Sequence, residues 1–309
     1  MAAAQAPHTS RIRSRRLALV GAIAFLMALS RCCLAAEAPQ LKPFALWQLK
    51  NQTHSQMMSY VIRSESGKVI VIDGGMAGDA KYLSAFLAKL GDHVSAWFLT
   101  HPHDDHMDAL TAILPNPGKL QIDALYASMP NREWMARYGS KTELQAYDRA
   151  CAVFAETGRA VTELQLGQEI VLDGLLFEVL GVKNPEITAN PVNNQSLLLR
   201  LSGAGRTVLF TGDLGVEGGR KAITGAYASK LHADYVQMAH HGQNGVNEAF
   251  YQHVGASHCL WPTPLWLWDN DKGAGKGSGP WRTLEVRAWM DKPPAKTHHV
   301  GCRDSELID

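Results

Sequence analysis

Residues 99–108 read LTHPHDDHMD. Three imidazoles (His101, His103, His106) and three carboxylates (Asp104, Asp105, Asp108) fall within ten positions, directly after the apolar run VSAWFL at 94–99. A β-strand that ends in this way delivers the ligand types preferred by zinc and related divalent ions to one point. Side chains two apart in an extended segment point the same way, so His101 and His103 can grip one ion together. Asp105 and His106 lie just past them and can face a second. Without cations the segment would crowd imidazoles and carboxylates for no structural return.

Outward from this stretch the chain alternates strands with helices. ALWQLKN (45–51) and SYVIRSESGKVIVIDGG (59–75) read as strands, rich in β-branched and aromatic residues and broken by Ser-Gly and Gly-Gly turns. GDAKYLSAFLAKLG (78–91) places Tyr82, Leu83, Phe86, Leu87 and Leu90 at helical spacing and stops at Gly91. QIDALYAS (121–128) reads as a strand, and SKTELQAYDRACAVFAETG (140–158) as a helix with a Ser or Thr cap and a glycine stop. Three later segments, at 168–182, 195–213 and 233–242, are strand-rich, with GRKAITGAYASKL (219–231) helical between the last two. This order predicts an α/β fold, a four-layer αββα sandwich of two packed mixed sheets.

The first 36 residues read as an address. RIRSRR (11–16) is a basic segment, LALVGAIAFLMAL (17–29) an apolar one, and CLAAEAP (33–39) supplies small residues for cleavage near Ala35 or Ala36. The expectation is export to the periplasm or the medium, the alternative a retained signal-anchor. The apolar run falls short of the roughly 20 residues that span a bilayer. Residues 37–309 then form a single domain with a Trp-rich extension from about 261. Residues 37–309 carry 25 basic and 29 acidic side chains, which gives no support to bulk-charge binding of nucleic acid. Cys151, Cys259 and Cys302 remain, an odd number that permits one disulfide, with Cys259–Cys302 the first pair to test against three free thiols.

HPHDDH is an H-x-H-x-D-H signature, and with it the chain resembles the metallo-β-lactamase superfamily over roughly Trp47 to Trp261. The resemblance implies roles for residues elsewhere. Asp73, in VIVIDGG, supports the metal loop from behind. Asp213, in VLFTGDL, bridges two ions. MAHHG supplies the late ligand, for which His240 is preferred and His241 placed behind it. No histidine occurs between His106 and His232, where many members of the superfamily carry one more ligand; NNQSLLLRL (193–201) stands there instead. Together with LFTGD and HHG it resembles the hydrolase domain of bacterial DNA-uptake competence proteins and related phosphorylcholine esterases.

The resemblance implies a dinuclear hydrolase, with zinc or manganese as its two divalent ions, and the leader adds export. Two such ions would lower the pKa of a water for attack on a phosphoric ester or diester. Asp105 and Asp213 serve that step. Asn194 is either an oxyanion donor or a strand-edge side chain. The same site suits an amide, lactone or thioester, and a non-catalytic metal- or ligand-binding envelope protein is a third reading. The tail concentrates Trp261, Trp266, Trp268, Trp281 and Trp289, as packing mass or as a stacking surface for a small-molecule substrate. His298 and His299 read as surface or packing residues. Oligomeric state is not encoded in any of these patterns.

Overall fold

Strand β3 (Val69–Asp73) shows why two sheets must pack here: every one of its residues is buried. Val69 and Val71 enter one apolar cluster and Ile70 and Ile72 another, so both faces of the strand are covered. In the computed structural model, which describes residues 1, 2 and 40–308, β3 lies in an eight-stranded sheet. That sheet contains β1 (Phe44–Gln48), β2 (Ser59–Ser64), β4 (His93–Leu99), β5 (Gln121–Ile122), β6 (Leu125–Ala127), β7 (Val161–Glu163) and β15 (Glu306–Ile308). Its order is β15-β1-β2-β3-β4-β6-β7, with β5 beside β4. β1, β2 and β3 are antiparallel, whereas β3, β4, β6 and β7 run parallel.

The second sheet repeats the scheme. It contains β8 (Glu169–Leu172), β9 (Leu175–Gly181), β10 (Leu198–Gly203), β11 (Arg206–Phe210), β12 (Tyr235–Gln237), β13 (His258–Trp261) and β14 (Thr297–Val300) in the order β14-β13-β12-β11-β10-β9-β8. β8 to β11 are antiparallel and β11 to β14 parallel. Between the sheets lie Tyr60, Ile62, Phe98, Phe177, Leu199, Leu201 and Phe210; Phe98 stacks on Phe177 at 5.1 Å. On the outer face of the first sheet pack α1 (Ala80–Ala88), α2 (Asp104–Ile113) and α4 (Lys141–Glu156), the last preceded by the short α3 (Arg132–Tyr138). On the outer face of the second lie α5 (Val216–Thr224), α6 (Glu248–Val254) and α8 (Thr283–Met290), with the short α7 (Leu265–Trp268) between α6 and α8 in the chain. The expected α/β four-layer αββα sandwich is therefore the fold.

Some local expectations are corrected, and some left open by the sequence are decided. The helix expected over 219–231 begins at Val216 and ends at Thr224, because Gly225 takes an extended conformation. Asp105 and His106 do not lie on a loop: α2 starts at Asp104, so both sit in its first turn. Cys151, Cys259 and Cys302 are all free. In the parallel register Cys259 faces His298, while Cys302 falls in the turn after β14. Trp261 is fully buried with its ring 5.3 Å from that of Trp268, so this part of the tail serves as packing mass. Residues 40–309 form one compact unit. The leader read over 1–36 lies, after its first two residues, outside the described residues. Among the described residues no helix is long and apolar enough to cross a membrane.

Candidate metal centre

Parallel strands end together, and here four of them do so at one edge of the sandwich. β3 ends in Asp73, β4 leads to His101, β11 leads to Asp213, and β12 leads to the His240–His241 turn. Residues far apart in sequence are thereby brought to one point by strand register rather than by local motif. α2 contributes Asp105 and His106 from its first turn.

The donors form two groups, and within each all the donor atoms lie within 4.8 Å of one another: Asp105, His106, Asp213 and His241, all buried, and His101, His103 and Asp213. In the first, His106 Nε2 is 3.1 Å from Asp213 Oδ1, and His241 Nε2 is 3.0 Å from Asp105 Oδ2 and 3.5 Å from Asp213 Oδ2. In the second, His101 Nε2 and His103 Nδ1 face each other at 2.9 Å, with Asp213 Oδ2 at 3.9 Å from His101 Nε2. Asp213 belongs to both groups, the position expected of a bridging carboxylate. Asp73 accepts from the backbone N–H and hydroxyl of Thr100 at 2.7 and 2.6 Å and meets His106 Nδ1 at 2.7 Å. It thus orients the His106 ring from behind, as the resemblance implies.

The donor set fits divalent cations. His106 Nε2, His241 Nε2 and Asp213 Oδ1 are buried and make no hydrogen bond, although a buried polar atom ordinarily has a partner. Electrostatics point the same way. Burial disfavours a charged His106, but the carboxylates of Asp213, Asp105 and Asp73 outweigh it and hold His106 well above the usual imidazole range. Burial likewise opposes charge on His241, and Asp213 and Asp105 outweigh it and raise that imidazole too. Burial, followed by the neighbouring imidazoles of His106 and His103, pushes His101 well below it. The carboxylates thus call for positive charge at the point where His106 and His241 converge, and a divalent cation supplies it in exchange for protons.

Two expected roles are corrected. His241, not His240, is the late donor in the four-residue group. His240 and His241 both have positive φ (52° and 53°), and this turn sends the two rings in different directions. His241 Nδ1 pairs with Pro262 O at 2.8 Å, which aims Nε2 inward, while His240 lines the cleft with Nε2 3.7 Å from Asp213 Oδ2. Gly242, at φ +76°, lies so close to Trp261 that a Cβ would sit 2.4 Å from its ring, which fixes the turn. His241→Ala is accordingly expected to lower the number of retained ions by one, and His240→Ala to leave that number unchanged. Metal analysis of the two purified variants reads the difference.

Asn194 is not poised toward a substrate. It is fully buried; its Oδ1 accepts from Gly215 and Gly218 N–H at 3.0 Å each, and its Nδ2 donates to Ala189 O and Glu217 Oε2. It caps the start of α5. In the same NNQSLLLRL segment the buried Ser196 accepts from the N–H of Asp213 at 2.9 Å. Two further residues escaped sequence reasoning. Gln237, fully buried, holds Thr211 N–H on Oε1 and donates to Gly212 O and Met238 O, bracing the two loops that carry Asp213 and His241. Glu143 Oε1 meets His103 Nε2 at 2.9 Å. Its sequence signature was only the S-x-x-E capping pattern at Ser140.

The cleft above the donors measures about 260 Å³ and is lined by His103, Asp104, Asp105, Glu143, Asp213 and His240, among others. A second, wider cleft of about 750 Å³ contains Trp266, Trp281 and His54, and Ser55 lines both.

Comparison with known proteins accords with this geometry. The family model described as "Metallo-beta-lactamase superfamily" matches residues 54–240. The chain is similar to ComE operon protein 3 of Bacillus subtilis (strain 168), 29% identical over 178 residues, which is 56% of this chain and 20% of that protein. It thus spans about a fifth of the length of that curated relative. Among solved structures, the metallo-beta-lactamase fold protein YhfI from Bacillus subtilis superposes with a TM-score of 0.52 at 13% identity, covering 87% of this chain and all of that one. CmlA, a diiron beta-hydroxylase from Streptomyces venezuelae, gives 0.53 at 13% identity, covering 88% and 55%. With the two sheets, the converging strand ends and the family match over residues 54–240, the chain belongs to the metallo-beta-lactamase superfamily.

Proposed function

We propose that this protein is a metal-dependent hydrolase that cleaves a phosphoric ester or diester at the site formed by His101, His103, Asp105, His106, Asp213, His241 and the cleft-lining His240. The observation that carries the reading is the shared Asp213, which joins two clusters of donors and, with His106 and His241, leaves buried atoms that have no hydrogen-bond partner. Two divalent ions, when bound there, supply Lewis acidity and lower the pKa of water. His101 and His103 would hold one, with Asp105, His106 and His241 holding the other and Asp213 touching both. Asp73 keeps His106 turned inward, and Gln237 keeps the Asp213 and His241 loops at fixed separation. His240 presents its ring to the cleft, where it can hydrogen-bond an ester oxygen.

The preference for a phosphoric ester rests on the absent middle histidine and on NNQSLLLRL in its place, beside the likeness to ComE operon protein 3. Because the diiron fold neighbour carries out a different reaction, the metal is part of the test. The protein is purified metal-free and reloaded separately with zinc, manganese or iron, then assayed on bis-p-nitrophenyl phosphate, a lactam and a lactone. Turnover of the diester with at least one ion is the expected result. Turnover of the lactam or lactone alone would move the substrate to a carboxylic derivative. We also read the activity as exported, on the basic, apolar and small-residue pattern of residues 11–36. N-terminal sequencing of protein from the periplasm or medium should begin near Glu37.

A further inference from the structure

We propose that Glu143 is a positioning residue that locks His103 in the Nε2–H tautomer and so presents its Nδ1 lone pair to the ion shared with His101. The proposal rests on the metal-centre reading above. Glu143 Oε1 lies 2.9 Å from His103 Nε2, while the other ring nitrogen, Nδ1, faces His101 Nε2 at 2.9 Å. A neutral imidazole has one N–H and one lone pair. A carboxylate on Nε2 accepts the N–H there, which leaves the lone pair on Nδ1, the atom that points to the donor cluster. His101 faces the same point with Nε2.

The second carboxylate oxygen is engaged elsewhere. Glu143 Oε2 accepts from Ser140 N–H at 2.5 Å, and Ser140 Oγ accepts from Glu143 N–H at 3.2 Å. This capping box opens the sixteen-residue α4, which packs on the first sheet through the buried Ala146, Ala150 and Phe154. Glu143 is therefore held by a rigid helix start and not by its own flexible stem. His103 in turn is the residue just before α2, extended at φ −90°, with no side-chain cap of its own. Asp108 of α2 and Arg149 of α4 join the same two helices at 3.2 Å. The ring thus depends on α4 for its orientation, while His101 and His106 are placed by the β4 end and by Asp73.

The burial pattern adds a reason for such a brace. His101 and His106 are fully buried, but the side chain of His103 keeps 15% of its surface exposed and lines the cleft. An imidazole at the mouth of a cleft rotates and exchanges tautomers unless something fixes it. Among the described donors of the two clusters, His103 is the one whose far nitrogen is held by a carboxylate from outside both clusters on a separate helix.

Four variants of the full chain test this, Glu143→Gln, Glu143→Ala, Ser140→Ala and Asp213→Ala, with His103→Asn as a fifth for signal assignment. The first readout needs no metal: long-range 1H–15N spectra of the chelated protein, with the His103 signal identified by its loss in His103→Asn. The wild type should show His103 as the Nε2–H form, and Glu143→Ala a mixture. The second is zinc affinity by competition with a chromophoric chelator. Glu143→Ala should weaken one of two sites by roughly 10–100-fold, as loss of an outer-shell carboxylate does. Glu143→Gln, whose single amide oxygen can accept from either His103 Nε2–H or Ser140 N–H but not both, should fall between it and wild type. Ser140→Ala, which removes the cap but leaves the carboxylate on His103, should stay within about threefold of wild type by the same scale. An unchanged tautomer in Glu143→Ala, or equal weakening by Ser140→Ala, overturns the proposal. Retention of both ions by Asp213→Ala would instead overturn the metal-centre reading itself, so the two failures are distinguishable.

Discussion

Asp213→Ala is expected to abolish turnover and to release both ions, the largest effect of any single substitution in this chain. The reason lies in its double membership: it is the one residue common to the two donor groups. Loss of an outer partner costs about 10–100-fold in affinity or activity, and loss of a ligand to both ions should exceed that. The variant also separates ligand loss from misfolding. Asp213 is fully buried among His106, His241 and His240, whose charges hold its carboxyl far below the usual range once they outweigh burial. In the metal-free state its removal takes away one of the carboxylates that face His106 and His241 while Asp105 and Asp73 remain, so the fold should survive with a lower Tm than wild type. Addition of ions at about 100 times Kd stabilises a folded protein by about 2.7 kcal/mol. For a chain of this size that is a rise of roughly 4–5 °C in Tm for each ion bound. Wild type should show that rise over its own Tm in chelator, and Asp213→Ala should show none over its own. A variant that keeps two ions and the thermal increment would remove the basis of the dinuclear reading.

The fold and much of this site were legible in the sequence because the ligand types are rare and their spacing is local. HPHDDH places four donors within six residues, and the apolar run before it marks a strand whose end must carry them. Asp73, the last residue of β3, and Asp213, beyond the end of β11, were legible through the family resemblance that HPHDDH opens. Other features were hidden for physical reasons. Adjacent His240 and His241 cannot be ranked by spacing; a pair of left-handed backbone conformations decides which ring turns inward. Such φ values are uncommon for a non-glycine residue, and nothing in AHHG announces them. Glu143 is 40 positions from His103, and the contact depends on how α4 packs across α2. Gln237 reads as an ordinary strand residue, yet its amide ties the loops after β11 and β12 together. Local patterns therefore revealed the donors, and tertiary packing set which atoms of those donors face one another.

Asn194→Ala separates the two readings of NNQSLLLRL. If Asn194 gave a hydrogen bond to a developing oxyanion, its loss would cost about 10²–10³ in kcat and leave stability nearly intact. Its bonds point to the opposite outcome. Oδ1 holds two N–H groups at the start of α5, and Nδ2 satisfies Ala189 O and Glu217 Oε2. Loss of a helix cap costs about 0.5–2 kcal/mol. Each buried backbone group left without a partner adds about 1–3 kcal/mol, partly overlapping with that cost. The net destabilisation is then about 2–4 kcal/mol, roughly 3–7 °C in Tm at this chain length. Asn194→Asp should recover part of it, because the carboxylate still accepts from Gly215 and Gly218 while it repels Glu217 and cannot donate to Ala189. Turnover measured well below Tm, per folded and metal-loaded molecule, should stay within about threefold of wild type, far from the loss expected of an oxyanion donor. The physical argument is that α5 begins directly after the Asp213 loop, with Leu214 and Gly215 between them. A weakened cap therefore frays the helix behind the site before it moves Asp213, whose own N–H remains fastened to Ser196. A loss of two orders of magnitude in kcat at unchanged Tm would return Asn194 to the chemistry and require its side chain to leave all four of these partners when substrate binds.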